Sequence, residues 1–464
     1  MEKFFDDLFR MMRKADPTTH LTFLERAEEE FRRQGYREEI SSGVENILIV
    51  RLDAIGDMIL MSGFLREVRK NFPHARITLV CSPLVRPIVE LCPYVNEVLS
   101  FDKKNLDKNS SRLPETISTF FKKNFWRKKF SGTSSPQKDT DKSFDAKNAD
   151  KNFLQMLETV AAFCRDNLWR KKFSIAFSPK WSKGIDSLTG LFMCWLSGAR
   201  ERIGFSNFPG KSWGEETPAA IDILDNFLLT KCIVTPRSTV TEIEKNFYLL
   251  ESVGLKVNQT QAELFFEAAD FIRARELLKN IPSTNKKVLL GIGAGELNRK
   301  YPVEKLLVAL KELLKKDLVF VIVGGKSEFE DAAFLEKNLP REKVLNLTGK
   351  TTLRETEAII SQMDFYLGND TGVMHIAAAG QIPCLVLYRD AADKEDFLPG
   401  LFSCFQRFPP WQTKSVILRP AHQLEECARL KPIYGWCHVK DRPHCIAQIS
   451  PQEIIDGFEK LEAL

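Results

Sequence analysis

"NILIVRLDAIGDMILMSGFL", residues 46–65, passes from one apolar run through a short polar break into a second, and an acid, Asp57, sits in the break. Ile47 to Val50 fit a buried strand. Met58, Ile59, Met61, Phe64, Leu65 and Val68 recur at helical spacing, which predicts a helix over 58–70 and puts Gly56-Asp57 at a strand-to-helix turn. The plain reading of Asp57 is a helix cap, whose carboxylate accepts the free N–H groups of the first turn. The other reading is a side chain that faces a ligand, and this stretch alone leaves both open.

Outward from this turn the period keeps switching. Strand "RITLVCS" (76–82), a helix over 84–91 and strand "EVLSF" (97–101) follow, and after a long polar interruption come strand "SIAFSPK", helix 185–198, "GARERIGF" (198–205) and helix 241–255. A linker is expected near 256–285. A second alternating series then runs through strand "KVLLGIG" (287–293), helix 303–316, strand 318–325, helix 328–338, strand 344–349, helix 353–362, strand 364–370, helix 372–379 and strand 383–388. Alternation with short connections implies parallel strands joined by crossover helices. We therefore expect an α/β protein of two halves, 44–256 and 257–464, with ligands at the carboxyl ends of the strands in the cleft between them. Residues 1–43 carry a helical pattern (Phe4, Phe5, Leu8, Phe9, Met12, then Leu21, Leu24, Ala27, Phe31) and read as an N-terminal extension.

Composition narrows the class. With 464 residues, 44% of them hydrophobic, the chain can fill two or three cores, and no window approaches the roughly 20 continuous apolar residues that span a membrane. Acids stand in "MEKFFDDLFRMMRKAD" where a signal peptide would have its apolar run, so a cytoplasmic location is expected. The ten cysteines lie mostly in apolar segments, which suits reduced, buried thiols. Cys427, Cys437, His438, His444 and Cys445 offer soft ligands but no CxxC knuckle, and packing or a local disulfide is favoured over zinc.

The net charge of +5 is concentrated. Residues 101–152 hold thirteen Lys or Arg and seven Asp or Glu, a balance of +6, so the rest of the chain sums to about −1. This stretch opens an insertion over about 103–172, polar and without sustained periodicity. Its cations lie beside Phe120, Phe121, Phe125, Trp126 and Phe130, a pairing that suits an anionic membrane surface better than nucleic acid. The plainer alternative is a solvated, partly disordered loop. "NFWRKKFS" (124–131) returns as "NLWRKKFS" (167–174), a repeat too short to build a fold.

"LGNDTGVMHIAAAG", residues 367–380, is the most informative stretch. A strand ends at Asn369, Asp370 and Thr371 can cap, Gly372 lets a ligand approach the backbone, and Gly380 with Pro383 closes the helix. The N–H groups of Thr371, Gly372 and Val373 at the positive end of a helix dipole suit a diphosphate. His375 lies one turn on, on the same face. At the start of this half, "GIGAGELNRKYP" (291–302) offers glycines, then Arg299 and Lys300 ahead of Pro302, a plausible phosphate cradle but not an NAD fingerprint. In "GGKSE" (324–328), Glu328 suits ribose hydroxyls or simply the exposed first turn of a helix.

Together these motifs resemble glycosyltransferase family 9, the ADP-heptose:lipopolysaccharide heptosyltransferases. The matching pieces are "RLDAIGDMILMSGFLREVRKNFPHARITLV", "GARERIGF" and "LTGKTTLRETEAIISQMDFYLGNDTGVMHIAAAGQIPCLVLY", in family order, over about 44–100 and 174–464. The resemblance implies a GT-B fold, two Rossmann-like domains with parallel sheets facing a central cleft, the front one for the acceptor and the back one for the sugar nucleotide. It makes Asp57 the general base and lines the donor site with Asp370, Thr371, Gly372, His375, Arg299 or Lys300, and Glu328, while Lys350 and Thr351 match a position that touches the nucleotide. The chain departs from the family at Tyr301, where Trp is common, and at Arg389-Asp390, where a glycine-containing turn is common.

The implied reaction is inverting transfer of a heptose-like sugar from a nucleotide diphosphate donor, ADP-heptose by the resemblance, to a lipopolysaccharide core or other lipid-linked or glycan acceptor. Such transfer needs one carboxylate that is ionised at pH 7 to draw the acceptor proton, and helix N–H groups with cations can hold the leaving diphosphate without a metal or other cofactor. An acceptor anchored in the inner leaflet would make peripheral docking on the inner membrane useful. Two alternatives remain: a sugar-nucleotide epimerase of the same fold, and a silent protein that only binds the donor.

Overall fold

In the computed structural model the described residues are 45–103, 106, 146–181, 185–205, 227–236, 238–393, 404–426, 439 and 441–464. The N-terminal extension, most of the basic stretch, Cys427, Cys437 and His438 lie outside them. The front half runs β1 (Asn46–Arg51), α1 (Ile55–Asn71), β2 (Arg76–Cys81), α2 (Arg86–Val89), β3 (Glu97–Ser100), α3 (Ala146–Asn167), β4 (Ile175–Ser178), α4 (Ile185–Leu196), β5 (Glu201–Phe205), β6 (Lys231–Ile233) and α5 (Glu242–Glu251). The back half runs α6 (Ala268–Leu278), β7 (Lys286–Gly291), α7 (Val303–Leu313), β8 (Leu318–Ile322), α8 (Phe329–Asn338), β9 (Val344–Asn346), α9 (Leu353–Ile360), β10 (Phe365–Asn369), α10 (Gly372–Ala379), β11 (Cys384–Leu387), α11 (Cys404–Arg407), β12 (Ser415–Leu418) and α12 (Pro451–Ala463).

Every strand pairing is parallel. The front sheet has the order β3-β2-β1-β4-β5-β6, and the back sheet, read from β9, has the order β9-β8-β7-β10-β11-β12. The two halves thus repeat one doubly wound topology, in which strand order reverses beside the first strand and opens a crevice at the carboxyl ends. In the front that strand is β1, with Ile47 opposite both Ile77 and Ile175. In the back it is β7, with Val288 opposite Phe320 and Phe365. Strands buried on both faces carry continuous apolar runs for the same reason: Ile47 to Val50 and Val288 to Leu290 have almost no exposed surface.

Three sequence expectations need correction. Helix α1 begins at Ile55, not Met58, so Asp57 stands inside its first turn; the N-cap is Ala54, and no side chain caps the helix. The aperiodic insertion is shorter than 103–172, because 146–167 is helical. Met156, Leu157, Val160, Ala161, Cys164 and Leu168 lie at helical spacing and are buried in the front core. A crossover helix is required here, since β3 is an edge strand and β4 is central. The second copy of the repeat is structural as well: Leu168, Trp169 and Phe173 are buried where the chain enters β4. Finally, the expected linker over 256–285 contains α6, which packs on α9, so only the segment before it crosses between halves.

That crossing is strapped to α1. Arg66 donates to the carbonyls of Gln261 (3.0 Å) and Gln259 (2.8 Å), Glu67 accepts from Asn258 N (2.8 Å), and Ser62 Oγ accepts from Glu263 N (2.7 Å). Gly63 makes room for it, as a β-carbon there would lie 2.8 Å from the Gln261 carbonyl oxygen. Among the described residues no helix is long and apolar enough to cross a membrane.

Candidate active site

The N-termini of α1 and α10 meet head to head across the cleft. Both are left without a side-chain cap, whereas α5, α9 and α12 each have a capping box, from Thr241 with Glu244, Thr352 with Glu355 and Ser450 with Glu453. Uncapped first-turn N–H groups must find water or a ligand. The approach depends on two glycines. A β-carbon on Gly56 would fall 2.5 Å from Cδ2 of His375, and one on Gly372 would fall 2.9 Å from Cβ of Ile55. Gly372 therefore serves the contact between the halves, beyond the approach of a ligand that its motif suggests.

Beside this junction lies a cavity of about 450 Å3. Asp57, Arg299, Glu328, Thr351, Asp370, Thr371, Gly372 and His375 all line it. Lys300 and Lys350 do not: Lys300 Nζ pairs with Asp331 at 2.5 Å, and Lys350 Nζ donates to the Asn346 carbonyl at 2.8 Å. Sequence reading missed Leu84, Leu353, Thr356, Cys404 and Phe408 in the lining, which carry no motif of their own.

The front wall is built on charge. Arg51, fully buried at the end of β1, pairs through Nε with Asp53 (2.5 Å) and through Nη2 with Asp57 (3.1 Å) and Glu242 (3.3 Å). Lys180 Nζ holds the other oxygen of Asp53 at 2.6 Å. Burial alone would raise the Asp57 carboxyl, but Lys180 and Arg51 outweigh it and hold the group below the usual carboxylate range. Its side chain keeps 19% exposure, so an ionised oxygen reaches the cavity. Glu242 faces the same balance, burial against Arg407, Arg51 and Lys245, and is pulled down to about 2.

The back wall combines backbone groups, neutral side chains and the Arg299–Asp370 pair. Asn369 accepts from Tyr301 N (3.1 Å) and donates to the carbonyls of Ile292 (3.0 Å) and Gly293 (3.1 Å), which fixes the glycine turn against α10. Tyr301, buried, donates to the Ile449 carbonyl at 2.8 Å. Arg299 Nη2 donates to the Asp370 carbonyl (2.7 Å) and Oδ2 (2.6 Å), and Arg389, at the turn that departs from the family, bonds Asn298 (2.7 Å) and Glu296 (2.8 Å). Glu328 accepts from Gly325 N at 2.7 Å and packs where Gly293 lacks a side chain. Burial pushes His375 down, so its ring is neutral at pH 7 although Asp370 and Asp57 face it. Its Nδ1, with Asp370 Oδ1 and Arg299 Nε, is buried without a hydrogen-bond partner among the described residues. Such orphans beside uncapped N–H groups mark a place for a polar ligand. No cluster of three or more potential metal ligands occurs among the described residues.

Two facing Rossmann-like domains with the site between them define the GT-B class. The profile of glycosyltransferase family 9 (heptosyltransferase) matches residues 226–431. Lipopolysaccharide heptosyltransferase 1 of Campylobacter coli is 28% identical over 117 residues, 24% of this chain and 33% of that protein. The matched stretch thus spans only a third of that relative's length. The glycosyl transferase family 9 structure from Veillonella parvula superposes with a TM-score of 0.61 at 17% identity, covering 91% of this chain and 99% of the other. E. coli ADP-heptose lps heptosyltransferase II superposes at 0.58 and 15% identity, covering 90% and 98%. These two likenesses establish the fold. Residues 226–431, somewhat under half of the chain, thus match glycosyltransferase family 9, and the chain is heptosyltransferase-like.

Proposed function

We propose that the protein is an inverting glycosyltransferase that moves a heptose-like sugar from a nucleotide diphosphate, ADP-heptose first, to a lipopolysaccharide core or related glycan acceptor. The observation that carries this reading is the ionised, cavity-facing Asp57 set against the uncapped N-terminus of α10. In the step, the acceptor oxygen forms a bond to the anomeric carbon as the carbon–phosphate oxygen bond breaks. The acceptor proton passes to Asp57, and the electron pair leaves on the diphosphate. N–H groups of Thr371, Gly372 and Val373, with Arg299, stabilise that charge, and the neutral His375 can donate to it. Asp53 and Asp370 are nearly fully buried against Arg51 with Lys180 and against Arg299, whereas Asp57, paired with Arg51 through Oδ1, keeps 19% exposure toward the cavity, which makes it the carboxylate suited to take a proton.

A silent binding protein would not need Asp57, and an epimerase would release altered sugar without an acceptor. The test incubates the protein with a panel of nucleotide sugars, with and without core acceptor. Nucleotide diphosphate release that requires both ADP-heptose and acceptor supports the reading; acceptor-independent formation of altered sugar supports the epimerase instead. The basic stretch 103–150 is proposed to dock the enzyme on an anionic inner membrane surface where such acceptors reside. Salt-sensitive binding to anionic vesicles, lost on deleting 103–150, supports this, and indifference to vesicles at low salt removes it.

A further inference from the structure

Behind Asp57 the described residues bring six charged groups together. Arg51 comes from β1, Asp53 from the turn after it, Asp57 from the first turn of α1, Lys180 from the segment after β4, and Glu242 from the first turn of α5. The sixth, Arg407, comes from the other half. Helix α11 is fixed to the back sheet by Phe405, whose N donates to Asp390 at 3.2 Å and whose ring lies edge-on to Tyr388 and beneath Arg419. From there Arg407 reaches across the cleft. It donates to Oε2 of Glu242 through Nε (3.0 Å) and Nη2 (2.9 Å), and to the Trp181 carbonyl at 2.9 Å. The six groups are three cations and three carboxylates, and Arg407 is the one cation among them that comes from the back half.

Glu242 links the two ends of this chain. One of its oxygens takes Arg407, and the other takes Nη2 of Arg51 at 3.3 Å, the same nitrogen that holds Asp57 at 3.1 Å. We propose that Arg407 is a positioning residue that reports closure of the two halves to Asp57 through Glu242 and Arg51. With Arg407 in place, Glu242 is shared between two guanidiniums and Asp57 stays ionised. When the back half swings away, the buried carboxylates lose one cation and their proton affinity rises, so Asp57 has its lowest proton affinity in the closed enzyme. The proton affinity of the base is thereby coupled to assembly of the donor and acceptor sites. This inference rests on the reading of Asp57 as the base.

The other charged groups around the set do not replace Arg407. Lys245 on α5 faces Glu242, but its Nζ donates to the Val240 carbonyl (2.8 Å) and lies 4.2 Å from the Trp181 ring centre. From α10 and the turn before it come the neutral His375 and Asp370, which is already paired with Arg299. Loss of one nearby cation raises the proton affinity of the remaining carboxylates whatever Lys245 carries.

The test follows the Asp57 carboxyl directly by NMR in full-length protein labelled at aspartate carboxyl carbons, with Asp57→Asn identifying the signal. In the wild type the Asp57 midpoint is expected below the ordinary carboxylate range. In Arg407→Gln its midpoint should rise by about one pH unit, at the low end of the roughly 1–3 units that a neighbouring opposite charge contributes. Arg407→Lys should recover most of the shift. Glu242→Gln combined with Arg407→Gln removes one charge of each sign and should return the midpoint toward the wild type. A signal that stays in place in Arg407→Gln, or a double variant no better than the single one, overturns the proposal. If the midpoint moves as expected while Asp57→Asn turns over normally, the charge coupling stands and the base reading fails.

Discussion

Glu242 in the front half and Glu357 in the back half are both fully buried glutamates on helices, and they titrate on opposite sides of the ordinary carboxylate range. Glu242 is met by Arg407 and Arg51 and falls to about 2. Glu357 on α9 meets the Phe265 N–H at 3.2 Å and the charge of Asp270, so burial pushes it up to about 8. The two halves share one strand order yet bury polar groups by different means. The front neutralises ionised groups against one another and so keeps a carboxylate charged at its cavity wall. The back pairs Arg299 with Asp370, buries the neutral His375 and leaves helix N–H groups open, which suits binding more than proton transfer.

The most damaging change on the front side should be Asp57→Asn, which keeps size and removes the proposed base. Turnover is expected to fall by about 10²–10⁴ with nucleotide affinity nearly unchanged. Normal turnover would reduce the front charges to structural pairing. Arg51→Met should be next, since it strands Asp53, Asp57 and Glu242 without their shared partner. Breaking a buried pair from one side costs about 3–5 kcal/mol, and a melting temperature lower by roughly 10 °C would register it. A loss of only a degree or two would show that these charges are not truly desolvated.

On the back side effects should be smaller and confined to binding. Arg299→Ala should weaken a nucleoside diphosphate by about tenfold in calorimetry, from the loss of a charged hydrogen bond, while leaving the nucleoside nearly unaffected. Lys300→Ala should do neither, because Lys300 is committed to Asp331. Equal losses for diphosphate and nucleoside on changing Arg299 would move the phosphates elsewhere in the cavity.

The smallest effect separates the two glutamates. Glu357 has a raised folded pKa, so its share of stability is complete below its unfolded value near 4.5 and is lost as pH rises toward 8. Glu242 has a lowered one, so its share is present above 4.5 and is lost as pH falls toward 2. Glu357→Gln should flatten the decline of melting temperature between pH 5 and 8 by a few degrees and leave the acid side alone. An unchanged slope would mean that Glu357 is ionised in the folded protein.

What the sequence disclosed follows this same division. The back site is local in sequence: Asp370, Thr371, Gly372 and His375 occupy one strand-to-helix turn, so spacing alone gathers them. The front site is not. Arg51 and Asp57 are six residues apart, but Glu242 lies 191 residues from Arg51 and 165 from Arg407. Nothing in the spacing of such residues signals their pairing. Helix α3 was hidden for a different reason, because its apolar positions directly follow a long polar stretch that masks where the period begins. Lys300 and Lys350 show the converse limit, as a cation next to a glycine turn is as readily taken by a neighbouring carboxylate or carbonyl as by a phosphate.

The central claim is that one ionised carboxylate, Asp57, activates the acceptor for direct displacement at the sugar. The anomeric configuration of the glycoside formed from ADP-heptose and core acceptor, read by NMR, tests it most directly. Direct attack assisted by Asp57 predicts inversion relative to the donor. Net retention, whether by a second displacement or by front-side attack, would contradict the account.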